Sequence, residues 1–317
     1  ANRTVAIGNS AGVSGTASVD NVLVGYGAGS YADSTGSTYI GNKAGFRPNG
    51  NYNVAVGYQA LSGASAGSTA QQNIAIGYQS ALNATTAASN VIIGRQAGYG
   101  ITTAQKSVVI GTNAGYAMAG QGGSVLIGFE AGRFQDAGSG GSVAIGHQAL
   151  YSGTQNYRDV AIGFNAGRKA TGASASNVFL CTAAGPSSTG VVQNKLYIHN
   201  AEGTPLIYGD FSAGTVTING VLSATAKSFN IEHPLYKDKR LVHGSLEGPE
   251  HGIYIRGTIE ASKGCVIELP DYWQAMCDEY TVQLTPHGPY TVFIQEKHKD
   301  KVMIASSSQD YKFDYFI

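Results

Sequence analysis

One short alternation of hydrophobic and polar positions recurs through residues 1–185. VAIG (5–8), VLVG (22–25), TYIG (38–41), VAVG (54–57), IAIG (74–77), VIIG (91–94), VVIG (108–111), VLIG (125–128), VAIG (143–146), VAIG (160–163) and a decayed VFLC (178–181) lie 16 to 20 residues apart, most often 17. Four places before the last position of each copy stands a small polar residue: Thr4, Asn21, Ser37, Asn53, Asn73, Asn90, Ser107, Ser124, Ser142, Asp159 and Asn177. Three places before it the residue is always β-branched. One place before it the residue is β-branched except at Leu180, and the place between varies freely, from Ala6 and Leu23 to Tyr39, Ile92 and Phe179. Selection at alternate positions is the period of a strand; a helix would select at three and four. Each copy is therefore expected to hold one short strand with its β-branched face turned inward. The small polar side chains are expected to bond nearby backbone and set turns.

The glycine closing each motif is kept in ten of eleven copies: Gly8, Gly25, Gly41, Gly57, Gly77, Gly94, Gly111, Gly128, Gly146 and Gly163. That points to positive φ or to a backbone with no room for Cβ. Three residues on comes Ala in ten copies and Ser80 in the other, then Gly in most and Leu at Leu61 and Leu150. The remainder of each unit is rich in Gly, Ser, Thr and Ala and reads as a loop on one face. A β-sandwich does not reuse the same residue at each offset, whereas stacked coils do, because every coil occupies the environment of the one below. The fold class expected is all-β: a parallel β-solenoid or β-roll shaft of about eleven repeats of ~17 residues. Eleven coils about 4.8 Å apart make a rod of about 50 Å that needs protection at both ends. A coil this small and polar has a thin core of its own, so three chains around a common axis, a homotrimer, are expected to supply the missing apolar contacts.

The unit of small polar residue, Val, any residue, Ile and Gly, with Ala-Gly beginning three residues after that glycine, resembles the head repeats of trimeric autotransporter adhesins. It is also similar to repeats in tail-fibre and other virion proteins of tailed phages. The adhesin resemblance implies left-handed parallel β-rolls wound as trimers, with units nearer fourteen residues than these.

Composition changes after residue 185. Only 14 of the 40 charged residues precede it, and six of seven His, the one Trp and seven of eight Pro follow it. Residues 186–226 read as a β connector with strands at KLYIHN (195–200), PLIYGDF (205–211) and TVTING (215–220), the last closed by an Asn-Gly turn signal. Residues 227–317 read as a β-rich C-terminal domain, a trimer clamp or receptor-binding unit. Strands are expected at 240–246, 252–259, 265–269, 280–285, 290–295, 301–305 and 311–317, and one short helix from Asp271 through Trp273 and Met276. LYIHNAEGTPLIYGDFSAGTVTING, followed by KSFNIEHPL, RLVHGSLEGPEHGIYIRG, IELPDYW and VQLTPHG, resembles the carboxy-terminal part of tail-fibre-like structural proteins of marine and cyanobacterial phages. That likeness spans residues 195 to about 317 and implies a virion appendage.

Overall charge narrows the partners. Twenty Lys+Arg balance twenty Asp+Glu, which argues against a nucleic-acid binder. No apolar run reaches the roughly 18 residues of a membrane helix, so no insertion is expected. Forty-four glycines without a period of three exclude collagen, and 43% apolar residues exclude a disordered chain. Cys181, Cys265 and Cys277 form no CxxC and no zinc spacing. The chain opens at Ala1 directly into a repeat, and is expected to be a piece or a processed product of something longer.

Candidate chemistry is sparse. His243, Glu247, Glu250 and His251 form the densest polar cluster, but the intervening Gly-Pro turn does not align them as ligands, and neither metal nor cofactor is expected. Ser262 beside Lys263 points to the opposite face of a strand, so self-cleavage is not expected. Five acidic residues in 185 do not suit a solenoid polysaccharide depolymerase, and the chain is read as non-enzymatic. Receptor-binding candidates are the aromatics with polar tips in the C-terminal domain: Trp273, Tyr272, Tyr254, Tyr290 and Tyr311. The alternative for Trp273 is an anchor between helix and sheet. Along the shaft, Tyr26, Tyr58, Tyr78, Phe129 and Phe164 follow the repeat glycine and suggest a stacked outer ladder. The function expected is a structural tail fibre of a virion, with partners among other tail proteins and a host surface glycan or protein. A bacterial trimeric surface adhesin head is the alternative.

Overall fold

The computed structural model describes residues 3–13, 19–63, 67–120, 122–136, 140–154, 156–223, 228–244 and 253–317. They fall into two compact units, 1–222 and 223–317.

In the first unit each repeat contributes one three-residue strand. These are β1 (Val5–Ile7), β2 (Val22–Val24), β3 (Thr38–Ile40), β4 (Val54–Val56), β5 (Ile74–Ile76), β6 (Val91–Ile93), β7 (Val108–Ile110), β8 (Val125–Ile127), β9 (Val143–Ile145), β10 (Val160–Ile162) and β11 (Val178–Leu180). Each pairs in parallel with the next, always in the register Val5↔Val22, Ala6↔Leu23, Ile7↔Val24. This is a parallel β-solenoid, as the repeat spacing requires. The residues expected as a connector continue the same sheet. β12 (Lys195–Ile198) adds in parallel, then β13 (Ile207–Asp210) and β14 (Thr215–Ile218) add antiparallel. The reversal ends the coiling at that edge.

The alternation has the expected period and the opposite side. The freely varying middle residue is the one inside: Leu23, Tyr39, Ala55, Ile92, Leu126 and Phe179 are all buried. The uniform β-branched residues flank it on the outer face, half-buried in most coils and exposed in others, with Ile7 60%, Val22 40%, Ile40 40% and Ile162 42% exposed. The core tolerates variety because its volume is shared. Where the middle residue is large, the position six residues on is glycine, and a Cβ on Gly29 would lie 2.6 Å from Leu23 Cδ2 or on Gly132 2.8 Å from Leu126 Cδ2. Where the middle residue is Ala55 or Ala144, that position is Leu61 or Leu150, both buried. These two leucines fill the vacated space at left-handed φ of 49° and 50°, a conformation that costs roughly 1–2 kcal/mol for a non-glycine residue. The column of Ala28, Ala44, Ala60, Ala97, Ala114, Ala131, Ala149 and Ala166 completes the core.

Two backbone devices hold the coils in step. A Cβ on repeat glycine Gly94 (φ +136°) would sit 2.5 Å from the carbonyl oxygen of Gly111 in the next coil, and the other repeat glycines meet the same obstacle. The glycines are kept for both reasons expected of them. The small polar column reaches further than a local turn. Asn53 Oδ1 accepts from Asn73 N (3.0 Å), Asn73 Oδ1 from Asn90 N (3.1 Å), and Asn90 Oδ1 from Ser107 N (3.0 Å). Each side chain thus satisfies a buried backbone donor one coil on.

In the second unit, β15 (Ser228–Glu232) pairs with β16 (Arg240–Gly244). Two three-stranded antiparallel sheets follow. One orders β17 (Arg256–Ser262), β22 (Asp310–Phe316) and β19 (Gln283–Pro286); the other orders β18 (Cys265–Glu268), β21 (Lys301–Ser306) and β20 (Val292–Lys297). The helix α1 spans Trp273–Met276, inside the predicted stretch. Ile267, Leu269, Trp273, Val302, Ile304, Tyr311, Phe313 and Ile317 form the core. No helix among the described residues is long and apolar enough to cross a membrane.

Candidate binding surfaces

The outer face of the shaft carries three parallel columns. Two are the β-branched columns on either side of the buried middle residue. The third follows the repeat glycine and is the expected aromatic ladder, present in two runs. Tyr58 stacks on Tyr78 (5.3 Å between centroids, 10°), and Phe129, His147 and Phe164 stack in series (5.1 and 4.8 Å). Arg95 and Thr112 interrupt it, and Tyr26, expected in the ladder, lies outside both runs, with Asn42 at the same position of the next coil. The next residue is left-handed in most coils, and three Gln amides there bond the preceding coil: Gln79 Nε2 donates to Gln59 Oε1 (3.0 Å), Gln96 Nε2 to Gln79 Oε1 (3.1 Å) and Gln148 Nε2 to Glu130 Oε2 (2.8 Å). A further column combines rings and guanidinium groups, with Tyr99 stacked on Tyr116 (4.9 Å) and Arg133 over the Tyr116 ring at 5.5 Å. His147, between Phe129 and Phe164, and Tyr116, between Tyr99 and Arg133, have both ring faces occupied.

The five aromatic candidates of the second unit have different surroundings. Trp273 is buried and meets Tyr280 edge-on at 5.9 Å, so it anchors the helix. Tyr311 is buried, and its hydroxyl donates to Lys263 O (2.8 Å). Burial pushes its pKa up to about 12. The Tyr290 hydroxyl donates to Lys312 O (2.9 Å) and accepts from Lys312 N (2.8 Å). Tyr290 and Tyr311 meet edge-on at 6.5 Å, with both hydroxyls held by backbone. Tyr272 stands edge-on to His233 at 5.9 Å. Tyr254 alone lies on an open face, 37% exposed and stacked on Phe316 at 5.3 Å and 13°. Of the polar cluster, Glu247, Glu250 and His251 lie outside the described residues. All three cysteines are free.

Sequence reasoning missed the groove beside Tyr254. The register Arg256↔Phe316↔Gln283 and Thr258↔Asp314↔Thr285 sets six side chains on the outer face of one sheet. They line a groove of about 410 Å³. Asp314, on the central strand, accepts from Thr258 Oγ1 at 2.6 Å on one oxygen and from His287 Nε2 at 3.0 Å on the other. The Thr258 hydroxyl, then His287, hold its carboxyl below the usual carboxylate range. The alternation in YKFDYFI was visible; which strands would flank it was not.

By fold the chain is a β-solenoid repeat protein with a separate antiparallel β unit. No protein-family model, curated protein or solved structure matches it.

Proposed function

We propose that this chain is a structural fibre segment of a tailed-phage virion, assembled as a homotrimer, whose C-terminal unit attaches to the host cell surface. The observation that carries the reading is the pair of β-branched columns on the outside of the shaft. Eleven strands at about 4.8 Å make an apolar strip about 50 Å long and about 10 Å wide. Its projected area of about 500 Å² matches the largest patches tolerated on monomers, which are often functional. A surface that repeats at strand spacing is best matched by another with the same repeat, which a second copy of the chain supplies. The two columns are not equivalent, so the column three places before the glycine packs against the column one place before it on the next chain. Repeated at one third of a turn, such a head-to-tail contact closes into a ring of three that puts every column inside. A stiff trimer then presents three identical C-terminal units, and attachment gains from their multivalency.

Light scattering on the full chain tests the assembly: a mass near three times the chain's 32.8 kDa is expected. Ile93→Asp with Ile110→Asp, both on the outer face, is expected to leave monomers with intact β signal. A stable wild-type monomer overturns the trimer. Labelled full chain that fails to adsorb to any of a panel of marine and cyanobacterial cells overturns the attachment role.

A further inference from the structure

We propose that the groove on the β17–β22–β19 sheet is a saccharide-binding site that takes one neutral pyranose ring. The proposal rests on the attachment reading and names the chemistry of its receptor. Along the central strand, Asp314 and Phe316 point the same way two residues apart, a span of about 7 Å that one sugar ring bridges. Phe316 is 41% exposed, and with one face stacked on Tyr254 it offers the other as a platform for the C–H face of a ring.

The Asp314 carboxylate lies at the middle of the groove. Its two oxygens each accept one protein hydrogen bond, from Thr258 and His287, which fixes its orientation. A carboxylate offers about four acceptor sites, so one on each oxygen remains for a pair of neighbouring sugar hydroxyls. Arg256 on one flanking strand and Gln283 on the other supply donors at the level of the Phe316 ring. The Thr258 and Thr285 hydroxyls flank Asp314 in the same way. Donors, acceptors and one exposed ring on a shallow rigid sheet suit a polyhydroxylated ring better than an apolar ligand. An acidic sugar set against the Asp314 carboxylate meets like charge, and with Arg256 the one cation among the described residues that line the groove, the lining has no net charge to attract an acidic ring.

The test uses the full-length chain and polymer-displayed neutral pyranosides (glucoside, galactoside, mannoside) beside a glucuronide polymer, read by surface plasmon resonance. At least one neutral probe is expected to bind. Asp314→Asn and Phe316→Ala should each weaken it tenfold or more with the melting temperature unchanged, and Trp273→Phe should leave affinity unaltered. If Asp314→Asn lowers the melting temperature, Gln283→Ala at the exposed rim serves in its place, with a loss of threefold or more expected. Binding of the glucuronide alone, or neutral binding untouched by the groove variants, overturns the proposal. Adsorption to cells separates the two readings. Chain that adsorbs to cells but binds no neutral pyranoside sinks the saccharide site and leaves attachment standing; chain that does neither sinks both.

Discussion

Replacing Gly94 by alanine sets the stacked-coil geometry against a single methyl group. The new Cβ lies 2.5 Å from Gly111 O and 2.7 Å from its carbonyl carbon, and φ at this residue is +136°. Relief by about 1 Å means prying two coils apart, which stretches the bond from Gly111 N to Ile93 O, now 2.8 Å. Backbone strain of roughly 1–3 kcal/mol and one or two weakened hydrogen bonds at about 1 kcal/mol each bring the expected loss to about 2–5 kcal/mol. Two controls separate the contributions. Gly214 has φ +65° and nothing within 4 Å of where a methyl group would stand, so Gly214→Ala carries the conformational cost alone, about 1–2 kcal/mol. Gly190 has open space and no left-handed φ, so Gly190→Ala should be neutral or stabilise by up to about 1 kcal/mol. Long repeat arrays can unfold in parts, so the assay is hydrogen exchange read by mass spectrometry, coil by coil. Faster exchange centred on residues 91–111 is expected. A Gly94→Ala shaft that exchanges no faster than Gly214→Ala would refute the contact argument.

Four other substitutions probe the interior. Asp159 is the one carboxylate in the buried small polar column from Asn21 to Asn177, and burial raises its pKa from 3.8 to about 6, against the opposing pull of the Asn177 bonds. The folded state therefore holds this proton more tightly than the unfolded chain, and the contribution is fully present below pH about 4 and lost as pH rises through about 6, worth about 3 kcal/mol. Asp159→Asn should flatten that slope and raise stability at pH 7, as thermal melts across pH 4–8 would show; parallel curves for the two proteins would contradict it. Leu150→Gly should leave a cavity and cost about 2–5 kcal/mol, and Ala144→Leu should overpack by about 1–3 kcal/mol. The double variant copies the Leu126–Gly132 arrangement of the preceding coil and should recover to within about 1 kcal/mol of wild type in a double-mutant cycle. Trp273→Ala should cost about 3–5 kcal/mol in the C-terminal unit, with exchange in the shaft coils unchanged; unchanged stability would show that the indole is no anchor.

Much of the shaft was legible because a solenoid writes its structure locally. A residue that meets the same neighbour in every coil is selected at the same offset eleven times, so strand position, register and the repeat glycines could be read from residues 1–185 directly. The same repetition misled about sides. The Val and Ile columns are uniform because they lie on an outer strip, while the inner column varies from Ala55 to Tyr39 because Leu61 and Gly45 compensate in volume six residues on. Uniformity records a regular surface; variety records a core that balances its own space. Whether an alternating strand faces in or out depends on where the rest of the coil turns, and only the folded backbone decides that. In the C-terminal unit the strands were visible one by one, yet the groove depends on Thr258 and Thr285 flanking Asp314 from positions 56 and 29 residues away in sequence. Nothing local encodes such a pairing, because antiparallel partners are chosen by the packing of Phe313, Trp273 and Ile304 into one core.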